Sequence, residues 1–203
     1  MTLKLYYAPG ACSLASHIAL EESGLPYTAV PIDGKTHTLQ DGTDFYTINP
    51  LGYIPVLQLE DGSTLREGPV IVQYIADQAP HKSLAPANGT LARYRLQEWL
   101  TFISTELHKN FGPLFNPFTP DDYKTIAKKT VMARLKWLNG DIAGRDYLMG
   151  EHFTVADAYL FTVASWAAPC GLDLSALTHL NALRERVAQR PAVRAAMKAE
   201  GLL

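Results

Sequence analysis

The sequence predicts an α+β chain in which a small α/β domain is followed by an all-α helical-bundle domain. Residues 1–80 alternate between short apolar runs and helical patterns, while residues 90–200 carry helical periods alone. Between them lies "APHKSLAPANGT" (79–90), a stretch marked by Pro, Gly and Asn that reads as a connection. The expected boundaries are 1–80 for the first domain, 81–89 for the linker and 90–203 for the second.

Leu3 to Ala8 is short, apolar and aromatic, as a buried strand is. Ser13 to Glu22 follows with helical spacing and meets a breaker at Gly24. Tyr27 to Ile32 is a second strand, placed to complete a βαβ crossover. A polar stretch (33–44) and a weak helix lead to Asn49-Pro50. Ile54 to Glu60 and Ser63 to Arg66 are two strands joined by Asp61-Gly62, a strong hairpin signal. Pro69 sits where its missing N–H is harmless, at the start of a helix running from Val70 to Ala79. Helical periods then cover 91–111, 121–143, 154–168, 176–190 and 192–199. Thr154 and Asp157 in "FTVADAYLF" read as a capping box, in which truncating either residue costs about 1 kcal/mol.

Composition narrows the function. In 203 residues, 47% hydrophobic and 19% charged, there is material for a real core and no signature of disorder. A formal charge of −2 gives no electrostatic reason to favour nucleic acid or an anionic membrane. Two cysteines, Cys12 and Cys170, cannot build a disulfide framework, which points to a reducing compartment. Pro9 and Gly10 interrupt any signal-peptide core, and no apolar run reaches the length of a spanning helix. The expected location is cytoplasmic. His17, His81, His152 and His179 show no metal-ligand spacing, so no metal is expected.

"YYAPGACSLASHIAL" (6–20) puts Cys12 after a tight turn and before a helix. Unpaired N–H groups and the macrodipole favour negative charge at such a place, and a thiol there can fall from about 8.5 into a range of about 3.5–7.5. Strand, turn, cysteine, helix is the layout of thioredoxin-like redox sites. A second cysteine three residues on would complete that motif, but Ala15 stands there, so Cys12 has no internal resolving partner. The bland alternative is a buried apolar cysteine. "GYIPVLQLEDG" places Pro55 at a strand start, and the thioredoxin-like layout predicts a cis Ile54–Pro55 bond. Tyr6 and Tyr7 lie within the first strand and read as buried. Cys170, between Pro169 and Gly171, reads as packing.

With Cys12, Pro55, Glu67 and the helical second half in view, the chain resembles the cytosolic glutathione transferases, most of all the bacterial beta class. Further markers of the resemblance are "INPLGYIPVLQLEDGSTLREGPVIVQYIAD", "LAPANGTLARYRLQEWL", "STELHKNFGPLF" and "FTVADAYLFTVASWA". It implies a thioredoxin-like domain that binds glutathione as co-substrate and a helical domain whose pocket takes a small hydrophobic electrophile. It also implies a homodimer and a role in detoxification. Carried onto this chain, Cys12 and His108 are the catalytic positions, both near the glutathione sulfur. Ile54 and Pro55 meet the cysteinyl part, and Glu67 and Gly68 hold the γ-glutamyl end, where charge and helix-start N–H groups suit its ammonium and carboxylate. Many relatives carry serine where this chain has Gly68.

Lys35 and His37 stand where relatives often carry adjacent lysines for the glycyl carboxylate. Lys35, charged at neutral pH, is the better of the two. Thr101 or Glu106 would reach glutathione in the adjacent subunit, although relatives have asparagine where Thr101 stands. Leu96, Leu100, Ile103, Leu107 and Phe111 form an apolar stripe, leaving Thr101, Ser104, Thr105 and His108 on a polar side. Ser13 or His108 would donate to the thiolate, and Phe111, Phe115, Tyr123 and Trp166 would line the electrophile pocket. Two rival readings are a glutathione-dependent thiol transferase or reductive dehalogenase acting through Cys12, and a non-catalytic binding or regulatory protein.

Overall fold

The computed structural model describes residues 2–203, which divide into two compact units. One comprises the residues up to Ala85 together with Arg190–Leu203, and the other is Pro86–Gln189. The C-terminal segment, expected in the second domain, therefore belongs with the first unit.

In the first unit, β1 (Leu3–Tyr7) pairs in parallel with β2 (Tyr27–Asp33) across the crossover helix α1 (Leu14–Ser23). The strand β3 (Thr38–Leu39), in a stretch the sequence reads as loop, adds antiparallel to β2. On the other side β4 (Val56–Gln58) runs antiparallel to β1, and β5 (Thr64–Arg66) antiparallel to β4, giving the order β3-β2-β1-β4-β5. Asp61-Gly62 turns the hairpin as predicted, with Gly62 at φ +87° and its N–H bonded to the Leu59 carbonyl at 3.0 Å. The weak helix expected before Asn49 is a single 3-10 turn, Phe45–Thr47. Period-2 alternation sends Tyr6 and Val56 to one face, where they pack with Phe45 and Ile32. Tyr7 points to the opposite face and meets His17 of α1 at 5.4 Å between ring centroids.

Helix α1 ends at Gly24, whose φ of +70° lets its N–H close on the Leu20 carbonyl. Helix α2 spans Gly68–Gln78 and packs on α1. The final helix, α8 (Pro191–Ala199), also lies on α1, and Arg190 clamps Glu22 through two bonds of 2.5 and 2.9 Å. Beyond it Glu200 is buried, one carboxylate oxygen 2.8 Å from His17 Nδ1 and the other accepting the Gly10 N–H at 2.8 Å. The last residues of the first unit thus hold the turn that leads into Cys12.

The second unit begins with α3 (Leu91–Phe102), whose Thr90 cap accepts the Arg93 N–H at 3.2 Å. It continues without a break through a π-helical segment, Ile103–His108, into α4 (Lys109–Phe115). All five residues of the apolar stripe are buried. Asn110 donates its side-chain amide to the Thr105 and Glu106 carbonyls (3.3 and 3.0 Å), partnering carbonyls where the helical register changes. Next come α5 (Asp121–Asp141), α6 (Val155–Ser165) and α7 (Thr178–Ala188). Every residue of α6 from Val155 to Ala164 is buried, which makes it the unit's central helix.

Thr154 and Asp157 form the predicted capping box at the start of α6. Asp157 accepts the Thr154 N–H at 2.8 Å and, beyond the box, the Leu148 N–H at 2.8 Å. Among the described residues no helix is long and apolar enough to cross a membrane.

Candidate active site

The turn from β1 into α1 sets the position of Cys12. Gly10 adopts φ +69°, the Ala11 N–H closes on the Ala8 carbonyl at 3.1 Å, and α1 then starts at Leu14. The Ser13 hydroxyl exchanges 3.2 Å bonds with both the N–H and the carbonyl of Ala8 and is fully buried. Its proton is thereby committed to the turn, which removes Ser13 as the thiolate donor the sequence offered.

Cys12 is half-buried, and its thiol donates to the Ile54 carbonyl at 3.2 Å. The Ile54–Pro55 bond is cis, as predicted, and Pro55 is buried behind it. Gly68, the first residue of α2, lies beside Pro55: a side chain there would meet the proline Cγ at 3.8 Å, ordinary contact, so the serine of many relatives would fit. Glu67 precedes it with an exposed side chain and φ +67°, a backbone region that disfavours any residue but glycine. Its carbonyl caps α2 by accepting the Val70 and Ile71 N–H groups at 2.9 Å. The structure thus draws together Cys12, Ile54, Pro55, Glu67 and Gly68 from three separate stretches of chain.

The expected lowering of the Cys12 thiol does not occur. Burial pushes it up to about 11, the nearby Glu67 charge adds to the rise, and the N–H groups of Cys12 and Ser13 offset only part of it. Cys12 is therefore a neutral thiol at neutral pH, with its S–H on the Ile54 carbonyl. Because the folded value lies above the ordinary 9.0, the stabilisation this group contributes is complete below pH 9 and is lost as pH rises through about 11. Alkylation of Cys12 by iodoacetamide, followed by peptide mass spectrometry, is expected to accelerate about tenfold per pH unit through pH 10. A rate that levels off near pH 8.5 would show an ordinary thiol instead.

Lys35 and His37 lie on the segment between β2 and β3, each with partners of its own. Lys35 is exposed, and its backbone N–H bonds to Asp33 Oδ1 at 2.7 Å. The ring of His37 lies tilted against that of Tyr46, centroids 4.9 Å apart and planes at 32°, with its Nδ1 buried against Gly52. Of the two, Lys35 presents the available cation. Tyr6 and Tyr7 are buried, and burial raises both hydroxyls, so neither acts as a phenolate.

In the second unit the π-helical segment carries His108. Its Nδ1 is 2.6 Å from the Tyr159 hydroxyl, and the edge-on Trp166 ring lies 4.9 Å away. Burial pushes the imidazole below its ordinary value, so it is neutral at neutral pH. Trp166 also contacts Phe111 at 5.7 Å and Phe115 at 5.6 Å, the latter half-exposed, forming an aromatic wall. Tyr123 lies exposed near the start of α5. The Glu106 carboxylate accepts from Arg134 Nε at 2.6 Å, whereas Thr101 stays exposed. Cys170 is buried, as expected of packing. Among the described residues no group of three His, Cys, Asp or Glu could hold a metal ion.

Sequence reasoning missed Tyr159 and Glu200. A tyrosine inside a helix that is otherwise apolar is a signal in itself, because a buried hydroxyl requires a partner. Nothing in the sequence around Glu200 announces that its carboxylate reaches Gly10, 190 positions away.

A thioredoxin-like sheet that presents a cysteine and a helix N-terminus, followed by a helical unit, is the two-domain architecture that the resemblance to the glutathione transferases implies. Comparison with known proteins agrees. The model for "Glutathione S-transferase, N-terminal domain" matches residues 10–78, and that for "Glutathione S-transferase, C-terminal domain" matches residues 102–191. Glutathione S-transferase GstA of Escherichia coli O157:H7 is 46% identical over 98% of this chain and 100% of its own length. The solved structure of a sphingomonad glutathione S-transferase complexed with glutathione superposes with a TM-score of 0.95 at 49% identity, covering 98% of this chain and 100% of that one. The bacterial beta class enzyme of Sphingomonas chungbukensis gives 0.96 at 48%, with the same coverage. The chain belongs to the glutathione S-transferase family. Within it the likeness is to the bacterial beta class, and the activity is glutathione conjugation.

Proposed function

We propose that the protein binds glutathione through the first unit and presents its thiolate to small hydrophobic electrophiles, with Cys12 and His108 as the catalytic residues. Glu67 meets the α-ammonium, while the N–H groups at the start of α2 (Gly68) receive the α-carboxylate. The Ile54 backbone beside Pro55 pairs with the cysteinyl part, and Lys35, rather than His37, takes the glycyl carboxylate. Thr101 is left to make the contact with glutathione in an adjacent subunit, since Glu106 is tied to Arg134. In the reaction the thiol proton leaves to solvent, a sulfur–carbon bond forms, and the leaving group departs with its electron pair. Cys12 donates its S–H to the thiolate in place of the Ile54 carbonyl.

The observation that carries this reading is the state of Cys12. Its S–H donates to the Ile54 carbonyl at 3.2 Å and burial pushes the thiol up to about 11; both keep it protonated at neutral pH and favour conjugation over attack on disulfides. Half-exposed Phe115 and the Trp166 wall support an aromatic or otherwise apolar electrophile.

The test is Cys12→Ala, assayed with a halonitroarene and with a mixed disulfide of glutathione. Loss of one donor to the thiolate is expected to lower conjugation about tenfold without abolishing it. Loss of disulfide exchange alone would make Cys12 a redox nucleophile and the protein a thiol transferase. Retention on immobilised glutathione with no turnover of varied electrophiles would leave a binding protein.

The homodimer implied by the family is supported by an aromatic cluster, Trp99, Phe102 and Trp137, the last 54% exposed, with Tyr94 exposed on α3. A monomer in analytical ultracentrifugation would remove that proposal. Two free cysteines fit a reducing cytoplasm, where the proposed role is detoxification.

A further inference from the structure

Tyr159 carries a buried hydroxyl to which the proposed function gives no role. It stands on α6, a helix buried along almost its whole length and packed on the π-helical segment that carries His108. Its hydroxyl lies 2.6 Å from His108 Nδ1, and the two rings meet edge-on at 77° with centroids 5.9 Å apart. Trp166 packs edge-on against the same imidazole at 68°. The ring is thus held by two aromatic neighbours, and one of its nitrogens is already engaged.

We propose that Tyr159 is a positioning residue that donates its proton to Nδ1, fixing His108 as the Nε2–H tautomer and making it a hydrogen-bond donor rather than a base. Two arrangements fit the contact, O–H···N and N–H···O. A phenol is a strong donor and a poor acceptor, while an unprotonated imidazole nitrogen is a strong acceptor, so the first is preferred. Once Nδ1 is taken, Nε2 carries a hydrogen and has no lone pair with which to accept a proton. In the catalytic role given to His108 above, on which this consequence rests, Nε2–H can then donate to a thiolate but cannot deprotonate the thiol.

The experiment is a long-range proton–nitrogen correlation spectrum of the imidazoles in the full-length, ligand-free protein, with His108→Gln assigning the signal. At neutral pH the wild type is expected to show an unprotonated Nδ1 and a protonated Nε2. Tyr159→Phe keeps the ring and removes the hydroxyl; it is expected to mix the two tautomers, lower kcat about tenfold and leave KM for glutathione within about twofold. A protonated Nδ1 in the wild type overturns the proposal, as does a Tyr159→Phe spectrum identical to the wild type. Mixed tautomers with unchanged kcat overturn the donor role. The wild-type spectrum decides the tautomer even if the variant fails to fold. It also decides it if the protein conjugates nothing, a result that would strike the transferase reading instead.

Discussion

Replacing Asp157 with alanine is expected to cost about 3 kcal/mol at neutral pH, well beyond the loss of a helix cap. The carboxylate is fully buried and accepts the N–H groups of Leu148 and Thr154, each at 2.8 Å, together with the Thr154 hydroxyl at 3.1 Å. Truncation strands two backbone donors where water does not reach, and it releases the Tyr147–Gly150 turn from the start of α6. In a chain of this size the melting temperature should fall by about 6–12 °C. The pH dependence gives a second signature. Burial pushes this carboxyl up to about 6, above its ordinary 3.8, despite the opposing hydrogen bonds. The folded state therefore holds the proton more tightly than the unfolded chain. Stability from this group is complete below the ordinary value and is lost as pH rises through about 6. Urea titrations of wild type and Asp157→Ala should differ by about 1 kcal/mol more at pH 5 than at pH 7. A loss below about 1 kcal/mol with no pH dependence would reduce Asp157 to an ordinary cap.

Glu67→Gly is expected to move stability and ligand affinity in opposite directions. Glu67 sits at φ +67° and ψ 111°, a conformation that costs a non-glycine residue about 1–3 kcal/mol. Glycine relieves that strain while adding some freedom to the unfolded chain, for a net gain of about 1 kcal/mol. The same change removes the carboxylate assigned to the ammonium of glutathione, and affinity measured by calorimetry should fall about 10–100-fold. Glu67→Gln separates the two effects, since it keeps the strained backbone and loses only the charge. Its melting temperature should stay near the wild type while its affinity falls. If Glu67→Gly binds glutathione as tightly as the wild type, the γ-glutamyl end is held elsewhere.

Features with local causes were legible in the sequence. The Asp61-Gly62 hairpin, the Gly24 stop, the Thr154–Asp157 box and the apolar stripe from Leu96 to Phe111 depend on residues a few positions apart, and all of them form. What escaped depends on partners distant in the chain. The helix start suggested an acidic Cys12, but its surroundings include Ile54, 42 positions on, and burial outweighs the local N–H groups. The π-helical register at Ile103–His108 leaves the spacing of the buried residues almost unchanged, so periodicity cannot separate it from ordinary α-helix. β3 is two residues long and exists through pairing with Ile32 and Asp33. The pattern of α8 announces a buried face without saying what covers it, and only the packing on α1 and the Glu200 contacts assign it to the first unit.

That assignment bears on how the molecule is made. A ribosome emits the sheet early, yet the carboxylate that anchors Gly10 and engages His17 emerges only after all of Pro86–Gln189 has been synthesised. A nascent chain halted at the end of α7 would carry every strand and still lack the bond that braces the cysteine's turn. The brace on the cysteine's turn therefore cannot form until the whole of the second unit has been synthesised.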